Sequence, residues 1–216
     1  KLPLPTPLVT VFTLGVDTPD KMGELAFENR SRPLLKLKMT GDGLDLERVE
    51  NIHKNAPNTK LVVDANEGWT IDQYIDYASR FKELGVMMIE QPLPAGSDLQ
   101  LASIPHPIPV CADESCHDTS TLPELSGKYD MINIKLDKTG GLTEALKLKR
   151  LALEHGFQIM VGCMIGTSLA MAPGLVVGQG AAVVDLDGPL LLKDDRENGL
   201  EFKGSTINVP SELLWG

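Results

Sequence analysis

Along this chain apolar and polar positions follow two periods, and stretches of the two kinds take turns from one end to the other. Short apolar runs of strand length occur at VTVFTLGV (9–16), LLKLKM (34–39), KLVVDAN (60–66) and VMMIEQP (86–92). They continue at IPVCADES (108–115), DMINIKLD (130–137), FQIMVGCM (157–164) and AAVVDLDG (181–188). Between such runs LDLERVENIHKN, TIDQYIDYASRFKELG and GLTEALKLKRLALEHG repeat their apolar residues at helical spacing. The last two end on glycine, as a helix C-terminus does.

Strands and helices alternating at about 23 residues per unit predict repeated βα units and parallel strands. Eight strands is the number that closes a TIM-type (β/α) barrel, and 216 residues lie near the lower end of its size range. An open doubly wound sheet would call for a glycine-rich phosphate loop after the first strand. The residues there are GVDTPDKM, so the barrel is the expected α/β fold. Residues 1–7, KLPLPTP, have the pattern of a linker from an upstream domain. The barrel is expected over 8–192, and the charged, turn-rich segment 193–216 is expected to leave it.

Composition narrows the function. With 42% hydrophobic and 23% charged residues the chain fits one globular domain with an ample core. A net charge of −10 without a lysine or arginine stripe speaks against nucleic acid and against an anionic membrane surface. The most apolar region, 157–192, is interrupted by Gly162, Gly166, Pro173, Gly174, Gly178 and Gly180, which predicts no spanning helix. Cys111, Cys116 and Cys163 are too few and too irregular for a disulfide framework, so a reducing, cytoplasmic setting is expected. A zinc site from Cys111, Cys116 and His117 lacks the paired spacing such sites show. His53, His106, His117 and His155 fall on helical or loop stretches with no evident partner. Glu67 and Trp69 follow VDAN with no role that spacing alone fixes.

The chemistry collects at strand ends, where barrels carry their functional groups. Asp64, Glu90 and Asp113 each close an apolar run, 26 and 23 residues apart, so they come from neighbouring strands and can converge. Three such carboxylates make an oxygen site for a hard divalent cation. Capping of the following helices is the alternative for any one of them. Lys36 and Lys38 share one face of the second strand by alternation, and Lys135 ends the sixth. In an eight-stranded ring Lys38 and Lys135 then stand across from each other, one on each side of a bound substrate. A metal on a substrate carboxylate would stabilise an enediolate while a lysine removes the adjacent proton. That lysine must be neutral, and Lys36 supplies the neighbouring charge that favours this. Snorkelling of both lysines from an edge strand is the alternative, but a closed barrel has no edge. Asp185 and Asp187 in DLDG share a face after the last strand and suit an ammonium group. An Asp-turn before Pro189 is the competing reading.

Taken in order, KLK, VDAN, IEQP, ADES and INIK resemble the enolase superfamily, in its muconate-lactonizing-like branch. Within that branch GCMIGTS (162–168) and DLDG (185–188) resemble the dipeptide epimerases, such as those acting on L-Ala-D/L-Glu. The resemblance implies an isomerase that inverts the α-carbon of a dipeptide's C-terminal residue, with Lys38 and Lys135 as acid/base pair and Lys36 as their electrostatic neighbour. It implies Mg²⁺ on Asp64, Glu90 and Asp113, and the substrate ammonium on Asp185 and Asp187. Cys163, Met164 and Ile165 would line the pocket, with Thr13 as a further substrate contact. The implied partners are a small dipeptide and an N-terminal α+β capping domain, whose pattern these residues lack. A homo-oligomer is compatible with this. Two readings compete: another reaction of the superfamily (o-succinylbenzoate synthesis or cycloisomerisation), and a non-catalytic barrel fragment.

Overall fold

In the computed structural model, which describes residues 4–215, the two periodicities become strands and helices that largely alternate. Residues 1–3 of the expected linker, and Gly216, lie outside the described residues. The elements are β1 (Leu8–Val9), β2 (Phe12–Leu14), α1 (Pro19–Glu28), β3 (Leu34–Lys38), α2 (Asp45–Asn55), β4 (Lys60–Asp64) and α3 (Ile71–Glu83). They continue with β5 (Val86–Glu90), β6 (Val110–Ala112), α4 (Leu122–Leu125), β7 (Met131–Lys135), α5 (Leu136–Thr139), α6 (Leu142–Glu154) and β8 (Gln158–Gly162). Last come α7 (Ser168–Gly178), β9 (Val183–Val184), β10 (Phe202–Lys203) and β11 (Thr206–Ile207), with 3₁₀ turns at Leu99–Ser103 and Gly188–Leu191.

β2 to β9 follow chain order in one eight-stranded sheet. The pairs β2–β3, β3–β4, β4–β5, β5–β6 and β8–β9 are all parallel. This is the strand order of a TIM-type (β/α) barrel, as the sequence spacing predicts. Consecutive parallel strands need helical crossovers, which is why the chain alternates.

The chain divides into two compact units. One comprises residues 12–115 and 123–131, and holds β2 to β6. Its strands are buried on both faces: Leu35 and Leu37 of β3 are inaccessible, and Lys36 between them nearly so. Helix α3 shows how the sequence sets an element. Thr70 and Gln73 form a reciprocal capping box at its start, and Tyr74, Tyr77, Ala78 and Phe81 make its buried stripe. The loop after β3 is tied to the loop after β4. Gly41 has φ +73°, and a Cβ on it would stand 2.0 Å from the Gly68 carbonyl oxygen, so only glycine fits. Trp69 Nε1 donates to Asp45 at 2.7 Å, and Arg48 donates to the same residue at 2.7 Å. In this unit the histidine expectation needs correction. His106 Nδ1 lies 2.8 Å from Asp130 Oδ2 and its Nε2 3.1 Å from the Leu101 carbonyl. A partner 24 residues away is brought close by the turn of one βα unit, which spacing does not reveal. His155 Nδ1 likewise lies 2.8 Å from the Leu151 carbonyl of its own helix.

The other unit comprises the chain before Phe12, residues 116–122 and everything from Ile132 on. The expected first strand, 9–16, is divided. Leu8–Val9 pair with β11 in a small antiparallel sheet with β10, whereas Phe12–Leu14 join β3. Buried Thr10 marks the change: its N–H donates to Ser205 O at 2.8 Å and its hydroxyl accepts from Leu186 N at 2.9 Å. The next residue, Val11, donates to Val184 of β9 at 2.9 Å. Helix α7 stands where the βα repeat requires one but has no stripe of its own, because SLAMAPGLVVG is apolar on all sides. Asp195 caps it, accepting from Ser168 N at 2.9 Å and from the Ser168 hydroxyl. Among the described residues no helix is long and apolar enough to cross a membrane.

Candidate active site

Strands β3, β4 and β5 end on Lys38, Asp64 and Glu90, and register places these ends side by side. Lys38 pairs with Asp64, Asp64 with Glu90, and Glu90 with Cys111. Alternation keeps Lys36 on the same face as Lys38 and brings Thr13 beside Lys36. Asp113 lies one residue beyond β6. Asp64 and Glu90 have no solvent access, and Asp113 almost none.

The ammonium groups are distributed over these acids. Lys36 Nζ lies 3.1 Å from Asp64 Oδ2 and 2.8 Å from Glu90 Oε2. Lys38 Nζ donates to the same Asp64 oxygen at 2.6 Å and to Asn66 Oδ1 at 2.9 Å. Burial pushes the Asp64 carboxyl up, but the charges of Lys36 and Lys38 outweigh it and hold the group below the usual carboxylate range. The two lysines differ in access: the Lys36 side chain is 3% exposed and that of Lys38 31%. Lys38 can be reached by a substrate, whereas Lys36 is enclosed.

Three carboxylates close neighbouring strands in a buried place, and Glu114 adds a fourth: burial first, then the Asp113 charge, pushes its carboxyl above the usual glutamate range. Clustered carboxylate oxygens are the donor set a hard divalent cation takes, so these residues fit Mg²⁺.

Sequence reasoning passed over two side chains here, Asn66 and Gln91. Asn66 accepts from Lys38, adopts a left-handed backbone (φ +43°), and donates from its amide to Glu114 Oε1 at 3.3 Å. Its own N–H is held by Asp64 Oδ1 at 3.0 Å. Gln91, directly after Glu90, sits at φ +35°. Non-glycine residues in the left-handed region cluster at functional sites, and these two follow candidate ligands within the motifs VDAN and IEQP. Their polarity so close to a strand end was the available signal. Glu67, at φ +66°, accepts the Ala95 N–H at 2.6 Å, and so shapes the mouth rather than its chemistry.

In the other unit Lys135 ends β7 and is buried. Asp185 and Asp187 lie just past β9, both buried. Their carboxylate oxygens and the Cys163 sulfur all stand within 4.8 Å of one another, close enough to hold a single cationic group. Alternation predicted the approach of the two aspartates even though the strand itself ends at Val184. Met164 and Ile165 of the following loop are 56% and 71% exposed.

Strand order and these side chains place the protein in a class: the chain belongs to the enolase C-terminal domain-like family, matched over residues 22–213. Among its relatives, an N-acetyl-D-glutamate racemase from Pseudoalteromonas sp. is 45% identical over 96% of this chain and 66% of its own length. The L-Ala-D/L-Glu epimerase of Escherichia coli K12 is 44% identical over 95% of this chain and 64% of its own. An enolase family member from Agrobacterium tumefaciens, described as homologous to dipeptide epimerases and solved with sodium and L-Ala-L-Glu, superposes with a TM-score of 0.97. It is 50% identical, over 99% of this chain and 65% of that one. The chain thus spans just under two thirds of the length of these relatives.

Proposed function

We propose that the protein is a Mg²⁺-dependent isomerase, a dipeptide epimerase that inverts the α-carbon of the C-terminal residue of a dipeptide such as L-Ala-D/L-Glu. The observation that carries this is the shared face of Lys36, Lys38, Asp64 and Glu90, with a reachable lysine beside two buried carboxylates. Asp64, Glu90 and Asp113 would hold the cation. Bound there, Mg²⁺ supplies positive charge to the substrate carboxylate and so acidifies the neighbouring α-carbon. Lys38, as the neutral amine, takes the α-proton, while Asn66 Oδ1 accepts an N–H of its Nζ and fixes its direction. Lys36, pinned between Asp64 and Glu90, keeps both acids ionised and in place. Lys135, four strands further in the sheet order, returns a proton to the other face. Asp185 and Asp187 bind the ammonium of the first residue, and Cys163, Met164, Ile165 and Thr13 contribute to the pocket. In this reading residues 8–192 are the catalytic domain, and 193–216 return toward a capping domain.

A second reading is favoured by the racemase relative: an N-acylated amino acid as substrate. Both relatives' names specify inversion at a glutamate, so the difference lies in whether the acyl group carries an ammonium. Exchange of the substrate α-hydrogen in D₂O, followed by NMR on the full-length protein, tests the chemistry. Lys38→Ala and Lys135→Ala are each expected to lower it by about 10²–10⁴-fold. Asp185→Asn is expected to lower kcat/KM for L-Ala-L-Glu by about tenfold or more and to spare N-acetylglutamate. Absence of exchange with every dipeptide, alongside turnover of N-acetylglutamate, would transfer the assignment to the second reading.

A further inference from the structure

Gln91 is fully buried, held at φ +35°, and directly follows Glu90. Its Oε1 accepts the backbone N–H of Asp113 at 2.9 Å and that of Ser115 at 3.1 Å. Its Nε2 lies 2.8 Å from Leu93 O, 2.9 Å from Ser115 Oγ and 2.9 Å from Tyr129 OH. These partners fix which way the amide points. Two backbone N–H groups can only donate and a carbonyl can only accept, so the reversed amide would lose at least three bonds.

The bonds behind Gln91 are directed too. Tyr129 OH and Ser115 Oγ both donate to Asp98 Oδ2, at 2.6 and 2.8 Å, which leaves their lone pairs for the Gln91 amide. Lys128 neutralises Asp98 at 2.6 Å. Burial, and then the bond to Asp98, push the Tyr129 phenol far above its usual range, so it stays a donor. From Asp98 through Tyr129 and Ser115 to Gln91, every donor is committed, and the terminal acceptor is aimed at the Asp113 amide.

We propose that Gln91 is a positioning residue for the cation site, holding Asp113 at a fixed distance and angle from Glu90. The inference rests on the reading of Glu90 and Asp113 as cation ligands. Its backbone is continuous with one ligand and its side chain bonds the backbone of the other, so the strained φ is used to couple the two. Asp113 lies one residue past a three-residue strand, where the Gln91 side chain replaces a strand partner for its backbone N–H. Outer partners of this kind contribute strongly to metal affinity without touching the metal.

Mn²⁺ titration of the full-length protein, followed by electron paramagnetic resonance, tests this without measuring turnover. Gln91→Met, nearly isosteric, is expected to keep the fold by circular dichroism and to lower Mn²⁺ affinity about 10–100-fold. Should it not fold, Gln91→Asn gives the same readout, because one methylene less withdraws the oxygen from the Asp113 amide. Tyr129→Phe leaves that oxygen in place and is expected to lower Tm with Mn²⁺ affinity nearly unchanged. A folded Gln91 variant with less than about a tenfold loss overturns the inference. So does a Tyr129→Phe loss as large as that of Gln91→Met, since the effect would then belong to loop stability in general. If the wild type itself binds no Mn²⁺, the cation reading of Glu90 and Asp113 fails first, and the inference with it.

Discussion

Lys36 and Lys38 are two residues apart on one face, and both reach Asp64 Oδ2, yet they carry different burdens. Lys36 is enclosed and neutralises Asp64 and Glu90 together, neither of which has solvent access. Without it, two buried carboxylates would lose the ammonium that bonds them both. Lys36→Met is therefore expected to destabilise the metal-free protein by about 3–5 kcal/mol, the cost of an uncompensated buried charge. Lys38→Met should cost clearly less, since its side chain is 31% exposed and Lys36 still neutralises the same Asp64 oxygen. Urea denaturation in the presence of a chelator measures both. Equal losses would mean that Lys36 has no special structural share. A larger loss for Lys36→Met would give Lys36 a scaffold role, in keeping with the proposed proton transfer at Lys38, the one a substrate can reach.

At the scale of elements, helix α7 shows an interaction across a long stretch of sequence. Ser168 begins it, and Asp195, beyond the last barrel strand, accepts from both the N–H and the hydroxyl of Ser168. The same hydroxyl accepts the Leu200 N–H at 2.8 Å, so the cap also fastens the start of the β10–β11 hairpin. Asp195→Ala is expected to cost about 0.5–2 kcal/mol, as loss of an N-terminal cap does, and to speed proteolysis within 193–203. Unchanged cleavage there would show that the hairpin is held by its pairing with β1 alone. Much of this level was legible in the sequence. The strand ends at Lys38, Asp64, Glu90 and Lys135 stand where the apolar runs stop, because a buried strand tolerates no charge before its end unless a partner waits there. What stayed hidden has physical reasons. A helix apolar on all sides has no period, so α7 left no stripe of its own. One run of valine and phenylalanine serves two sheets, because Thr10 bonds sideways to Ser205 and Leu186. The left-handed backbone at Asn66 and Gln91 lies in residues that do not require it, so only the folded chain displays it.

For the molecule as a whole, 30 acidic residues against 20 basic ones give −10, and part of that excess is concentrated in Asp64, Glu90, Asp113 and Glu114. Self-repulsion among exposed acids is relieved by any salt, whereas a buried group of acids is relieved only by a cation that enters it. The two effects separate in a thermal unfolding series. A cation that binds the folded state alone adds RT ln(1 + [L]/Kd), about 2.7 kcal/mol at a hundredfold excess over Kd, and the gain keeps rising with concentration. Tm is therefore expected to increase with Mg²⁺ beyond the increase seen in NaCl of matched ionic strength. Asp113→Asn should abolish that increment and leave the NaCl response intact. Asp113 is the informative position because the bonds of Lys36 and Lys38 to Asp64 and Glu90 are made by other side chains and remain available when it is substituted. If Mg²⁺ and matched NaCl raise Tm equally, the strand-end acids serve as counter-ions to Lys36 and Lys38, and the sheet in this chain is built around ion pairs rather than around a metal.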